Sequence, residues 1–273
     1  MISEAMIKAR AGRLGVDPAV VDRDHALGVV LSAVAPTLAD GSWVFKGGTC
    51  LRKCYFGDYR FSEDLDFTVL SSLTASAALQ AVRDSAERAG ALGVQLLLDQ
   101  ARVQTVDDDY GRASVEIKVP YRGALRMGSA QNVQFHLSSD ERMAFGACKK
   151  ELLHSYDDTG LSGVLIPCYS LEEVLAEKLR AVGGQRRHAI ARDVYDVAQL
   201  VRRGADVSAS LEALPGKAER KGVDLGGAAA WFRGREDEYR ASWMRTLAYL
   251  VIDALSFEDA FAETAAVLDQ IGV

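Results

Sequence analysis

Apolar and polar positions along the chain repeat with two periods, helical and strand-like. Asp17-Pro18 reads as an N-cap followed by proline at the first helical position, and Val20, Val21, Leu27, Val30, Leu31 and Val34 then recur at helical spacing to about Leu38. Gly41-Ser42 closes that helix, and Trp43-Val44-Phe45 forms a short apolar strand running into Gly47-Gly48. Thr49 is placed to cap a short helix from Cys50 to Tyr55, Gly57-Asp58 turns the chain, and Phe61 to Val69 reads as a second strand. Thr74 to Arg88 is expected as a helix with Leu79 and Val82 inward, closed by Ala89-Gly90, and Val94 to Leu98 as a short strand. From Arg112 to Val119, Ala113, Val115, Ile117 and Val119 point one way, and Arg112, Ser114, Glu116 and Lys118 the other. Pro120 is expected to end that strand's hydrogen bonding. Asn132 to Leu137 sets Val133, Phe135 and Leu137 against Asn132, Gln134 and His136, and Val164 to Tyr169 reads as an apolar edge strand.

The second half changes period. Ser170 with Glu173 makes a capping box, and Leu171, Val174, Leu175, Leu179 and Val182 define one helical face, with Lys178 beside it as a half-buried ammonium. Gly183-Gly184 breaks that helix. The next, Ala189 to Arg203, holds Asp193 and Asp196 a turn apart, with Val194, Val197, Leu200 and Val201 inward. Beyond it, Pro215-Gly216 and Gly226-Gly227 are expected as breaks, and Trp231-Phe232 as a buried anchor. Tyr239 to Leu255 reads as a long helix with Trp243, Leu247, Leu250 and Val251 inward, and Ser256 caps the last one with Asp259 at its third position. Strands in the first half and helices in the second predict an α/β (α+β) protein. A strand-bearing core with N-terminal helices would occupy residues 1–168, and a mostly α-helical lobe residues 169–273.

Composition narrows the class. Over 273 residues, 49% hydrophobic and 26% charged is ordinary for a globular chain. The four cysteines contain no Cys-x-x-Cys pair. Cys50 and Cys54 lie at i,i+4, where they read as small apolar packing rather than zinc ligands, and such usage suits a reducing cytosol. With no signal peptide and no apolar run long enough for a bilayer, a cytoplasmic protein without membrane contact is expected. A net charge of −6 excludes an all-over basic coat, so any RNA contact would use a local patch. Arg186, Arg187, His188, Arg192, Arg202, Arg203, Lys217, Arg220 and Lys221 are its members, unless they are only a solvated face.

The chemistry concentrates between Phe45 and Phe67. Asp64 and Asp66 share one strand face, and two adjacent carboxylates repel unless a cation sits between them. Mg²⁺ (or Mn²⁺) suits that place when the substrate brings phosphates. Gly47-Gly48 lets backbone N–H groups approach an anion beside a helix start. Lys46 either meets a phosphate or closes the strand end, while Arg52 and Lys53 read as solvated. Asp107-Asp108-Asp109 reads as a loop, because three consecutive acids do not share a strand face.

Gly-Gly, a short helix and Asp-x-Asp in this order resemble the nucleotidyltransferase superfamily of the DNA polymerase β type. More narrowly, Phe45-Lys-Gly-Gly-Thr-Cys-Leu-Arg-Lys53 with Arg60-Phe-Ser-Glu-Asp-Leu-Asp-Phe67 looks like the AbiEii/MenT family of toxin nucleotidyltransferases. Glu173-x4-Lys178 followed by Arg192-Asp193-x-Tyr-Asp196 is a second block similar to that family's pattern. The resemblance implies a polymerase β-type nucleotidyltransferase core with a mixed sheet, its site in a cleft completed by the helical lobe. It implies Mg²⁺ at Asp64 and Asp66, the phosphates of a nucleoside triphosphate at Lys46, Gly47, Gly48 and Thr49, and Lys178 and Asp193 as active-site residues. Asp193 would orient Lys178 or accept a proton from the nucleophile, and Asp196 is an orienting or packing acid. A third carboxylate is usual on a neighbouring strand, where this chain has His136; Glu116 either replaces it or only follows the alternation. His136 would then act as a base or a hydrogen-bonding neighbour.

The implied biology is a toxin of a toxin–antitoxin or phage-defence pair, with an antitoxin partner, adding a nucleotide to the 3′ acceptor end of tRNA and so blocking translation. Two other outcomes stay open: transfer to a protein or small-molecule hydroxyl, and a nucleotide-binding module without catalysis. Ser62, two residues before Asp64 and expected on the same strand face, is either a phosphorylation switch at the nucleotide site or a serine bonded to a neighbour.

Overall fold

Capping side chains set the first elements of the chain. The computed structural model describes residues 2–107, 113–125, 130–156, 161–247, 249–250 and 255–271. Ser3 accepts a hydrogen bond from Met6 N at the start of α1 (Glu4–Leu14). Asp17 accepts from Ala19 N, and Pro18 opens α2 (Pro18–Leu38) as the spacing predicts. β1 (Trp43–Lys46) follows, then α3 (Gly47–Cys50), which continues as a π turn over Leu51–Tyr55. The helix therefore begins at the glycines rather than at Cys50, and Thr49 lies inside it instead of capping it. β2 (Asp64–Val69) starts three residues later than the apolar pattern suggests. α4 (Ala75–Ala91) is capped by Thr74 and runs through Gly90.

The remaining strands are β3 (Gln95–Leu96), β4 (Arg102–Asp107), β5 (Ala113–Arg122), β6 (Gln131–Ser138), β7 (Cys148–Glu151) and β8 (Leu165–Cys168). Among the described residues these eight form one mixed sheet in the order β3-β5-β6-β2-β1-β8-β7, with β4 also on β5. β2 is parallel to β6 and antiparallel to β1, and β1 is parallel to β8. β8 is thus an inner strand, not an edge, because the short and polar β7 pairs outside it. β5 does not stop at Pro120. The proline lacks only a donor, and its carbonyl still accepts from Leu97 N at 2.8 Å. Most of Val94 to Leu98 is not strand: after Gln95–Leu96 the chain enters a 3₁₀ turn, Leu98–Gln100. Leu65, Phe67, Val115, Ile117, Phe135 and Leu137 are buried on the face that packs with α2 and α4. Alternation sends Asp64, Asp66, Glu116, Gln134 and His136 to the other face. Arg112, Asp108 and Asp109 lie outside the described residues.

The chain divides into two compact units, one ending at Cys168 and the other starting at Tyr169 and taking in Glu141–Gly146. The second holds α5 (Leu171–Arg180), a π turn over Ala181–Gln185, α6 (Ala191–Arg202), α7 (Val207–Arg220), α8 (Ala228–Arg233), α9 (Glu236–Thr246) and α10 (Phe257–Leu268). Gly184 makes the break after α5 at φ 144°, and Gly227 the one before α8 at φ 78°. Pro215-Gly216 breaks nothing and sits inside α7. Proline in a helix costs roughly 3 kcal/mol; the neighbouring Leu214 and Ala218 are buried, and that apolar burial works against the break. α9 ends at Thr246 rather than near Leu255, and Val251 is not among the described residues. Phe232 alone is the anchor, stacked on Phe261 at 4.3 Å, while Trp231 is 48% exposed.

Only half of the expected capping box forms. Ser170 accepts from Glu173 N, but the Glu173 carboxylate is buried elsewhere, on Ala144 N (2.9 Å), Phe145 N (2.8 Å) and the Lys217 ammonium. Together with the Arg180–Glu141 pair at 3.1 Å, this fastens Glu141–Gly146 to α5 and α7.

Candidate active site

The glycine bend and the carboxylate strand meet through one close approach. Lys46 stands opposite Asp66 in the β1–β2 ladder, and the chain turns at Gly47 with φ 79°. A Cβ at Gly47 would lie 2.5 Å from Asp66 Oδ2, so only glycine fits both the backbone and the carboxylate. A Cβ at Gly48 would collide with the Arg60 guanidinium, which is 2% exposed and donates to Phe61 O at 3.1 Å. Thr49, also buried, donates its hydroxyl to Asp64 O at 2.5 Å, tying the helix start to the first residue of the carboxylate strand. Lys46, Gly47, Gly48, Thr49, Asp64 and Asp66 are therefore brought together.

Register extends the site across the sheet. Asp66, His136 and Glu116 occupy one row on β2, β6 and β5. His136 Nδ1 is 3.8 Å from Asp66 Oδ1, and its Nε2 is 2.6 Å from Gln134 Nε2. His136 thus stands between Asp66 and Glu116, whose carboxylate accepts from Gln104 Nε2 at 2.9 Å. Two half-buried carboxylates on one strand face, against a bend without side chains, fit a hard divalent cation that keeps water and takes phosphate oxygens. An imidazole does not add to such an oxygen set. Ser62 precedes β2, so the shared strand face expected for it with Asp64 is absent.

A layer of charge under the helix was not visible in the sequence. Arg52 and Lys53 are not solvated: they are 3% and 2% exposed and converge on Asp24 of α2. Arg52 Nε reaches Asp24 Oδ1 at 2.7 Å, Lys53 Nζ reaches it at 3.0 Å, and Tyr156 OH donates to Oδ2 at 2.7 Å. Burial pushes the Asp24 carboxyl up, but the charges of Lys53 and Arg52 more than offset it and hold it well below the usual carboxylate range.

In the second unit, Lys178 of α5 lies between two acids of α6. Its Nζ is 2.6 Å from Asp193 Oδ1 and 2.8 Å from Asp196 Oδ2, and Arg186 Nε reaches Asp193 Oδ2 at 3.2 Å. Burial raises Asp193, and Lys178 and Arg186 outweigh that and hold its carboxyl below the ordinary range. The basic patch expected for RNA is partly internal. Lys217 and Lys221 are buried, and Arg202 forks onto Glu263 at 2.6–3.0 Å.

A family model described as nucleotidyl transferase AbiEii toxin, type IV TA system, matches residues 30–264. Among solved structures, MenT4, a nucleotidyltransferase toxin from Mycobacterium tuberculosis H37Rv, is similar over 99% of this chain and 90% of that one. The TM-score is 0.62 at 22% identity, a likeness of fold. No curated protein matches the sequence.

Proposed function

Since the chain belongs to the AbiEii family of nucleotidyl transferase toxins of type IV toxin–antitoxin systems, we propose that it transfers a nucleotidyl group from a nucleoside triphosphate to the 3′ acceptor end of tRNA in the cytoplasm, so stopping translation until its antitoxin acts. The observation that carries the reading is the approach of Gly47 to Asp66, which sets the carboxylate strand against a bend without side chains at one corner. Asp64 and Asp66 hold Mg²⁺ (or Mn²⁺). The ion, when bound, neutralises phosphate charge and lowers the pKa of the attacking hydroxyl. N–H groups at Gly47, Gly48 and Thr49 take the β and γ phosphates, with Arg60 behind Gly48 adding positive charge. The acceptor oxygen attacks the α phosphorus, pyrophosphate leaves, and the hydroxyl proton departs to a base or solvent. Lys178 supplies a positioned ammonium for phosphate charge, and Asp193 and Asp196 fix its orientation.

The test offers labelled nucleoside triphosphates with Mg²⁺ to total tRNA, protein and cell extract, comparing wild type with Asp64→Ala. Label in tRNA, lost in the variant, is the expected result. Label confined to protein or small molecules removes the tRNA assignment, and label nowhere removes transfer altogether.

A further inference from the structure

Three cysteines far apart in the sequence meet in the first unit. Cys50 ends α3, Cys54 lies in the π turn, and Cys168 ends β8. All three are buried and free, and their Sγ atoms lie within 4.8 Å of one another. Cys168 also contacts Tyr55 OH at 4.0 Å, and Lys150 Nζ sits 5.0 Å from the Tyr55 ring centroid, bringing positive charge to the same spot. The fourth cysteine, Cys148, faces Cys168 directly across the β7–β8 ladder. Cysteines that only fill space have no reason to bring their sulfurs together, because a thiol packs against a methyl as readily as against a thiol.

We propose that Cys50, Cys54 and Cys168 form a thiolate site for zinc, with Cys148 as the fourth ligand. Soft sulfur sets select Zn²⁺ over the hard cations suited to Asp64 and Asp66. At a Zn–S bond of about 2.3 Å, two tetrahedral ligands sit roughly 3.8 Å apart, so the three-sulfur cluster closes by about 1 Å at most, while Cys148, outside that cluster, has to turn in from across the β7–β8 ladder. Each coordinating thiol releases one proton, and Lys150 balances part of the resulting negative charge. Its structural effect is specific. Cys168 pairs with Phe45 of β1, and Cys50 lies three residues after Gly47, so the ion pins the helix behind the glycine bend to the sheet on which the bend is built. The first signature of the chain would then be braced by a metal that takes no part in the transfer.

The experiment uses the full chain purified under reducing conditions. Metal content is read by mass spectrometry, and chelator-stripped protein is titrated with Co²⁺, following thiolate-to-cobalt charge-transfer absorption. About one zinc per chain is expected, with a band that saturates at about one equivalent of Co²⁺. Cys54→Ser and Cys168→Ser should abolish both signals, Cys148→Ser should weaken the band, and Asp64→Ala should leave it intact. If the serine variants do not fold, the wild-type band decides, together with native-state protection of the thiols from iodoacetamide that a chelator removes. Reduced, folded wild type without a charge-transfer band overturns the site, as does a disulfide between any two of the three. An unchanged band in Cys148→Ser overturns the fourth ligand.

Discussion

Asp66 and Asp193 are both acids of the proposed machinery, and their surroundings are opposite. Asp66 keeps 31% of its side chain exposed, with the imidazole of His136 at 3.8 Å. Asp193 is 3% exposed and is gripped by Lys178 at 2.6 Å and Arg186 at 3.2 Å. The first setting keeps negative charge in reach of an external cation, at the expense of repulsion from Asp64. The second has already paired its acid inside the protein, which suits the orienting role proposed for Asp193 towards Lys178. Exposure and pairing thus separate the proposed ligand from the proposed positioning residue, although both are aspartates in family-like motifs.

Cutting the paired side should have the largest effect. Lys178→Ala leaves Asp193 and Asp196 buried, without the ammonium that joins them, and should cost about 3–5 kcal/mol of stability, measured by denaturant unfolding. Adding Asp196→Asn should return part of that loss; if it returns none, the two acids are not held by Lys178. The exposed side should behave the other way. Asp66→Ala should slow nucleotide transfer by about 10²–10³ while its melting temperature stays level or rises, since a repulsive neighbour is gone. A large drop in melting temperature for Asp66→Ala would erase the contrast.

Gly47→Ala tests the join between bend and acid. The added methyl meets Asp66 Oδ2 at a backbone φ of 79°, so a stability loss of about 1–2 kcal/mol should accompany roughly 10²-fold slower transfer from the misplaced carboxylate. Gly48→Ala presses on the Arg60 guanidinium instead, which can shift, and should lose less.

What could be foreseen follows the range of each interaction. The α2 cap, the bend and the alternation that puts Asp64 and Asp66 on one face are local, and the pattern reports them directly. Asp24, Arg52, Lys53 and Tyr156 could not be assembled in advance. Arg52 lies 28 positions from Asp24 and Tyr156 lies 132, so charges on a short helix read as a solvated face. Cys168 reaches Cys50 and Cys54 only through the β1–β8 pairing. Pro215 shows the reverse error, a local breaker overruled by buried neighbours in α7. β4 and β7 escaped notice as mostly polar segments whose strand character comes from the neighbour they pair with. His136 was visible as a departure from the family pattern, and the register explains its place, between Asp66 and Glu116.

The smallest expected effect is a slope. Asp193 has a folded pKa below its unfolded value of about 3.9, with Lys178 and Arg186 overcoming the upward push of burial. A depressed carboxyl contributes stability that is fully present above the unfolded value and fades as pH falls through the folded one. Stability of the wild type should therefore be flat in this respect near neutrality and decline below about pH 4, by at most about 1.4 kcal/mol per pH unit from this group. Asp193→Asn lowers stability at pH 7 because Lys178 and Arg186 lose an anion, yet it should make the acid limb shallower by up to one proton. Denaturant unfolding at a series of pH values reads both. Parallel curves for the two proteins would mean that the acid carries no net pairing energy, and the division between a neutralised acid and an available one would then have to rest on Asp66 alone.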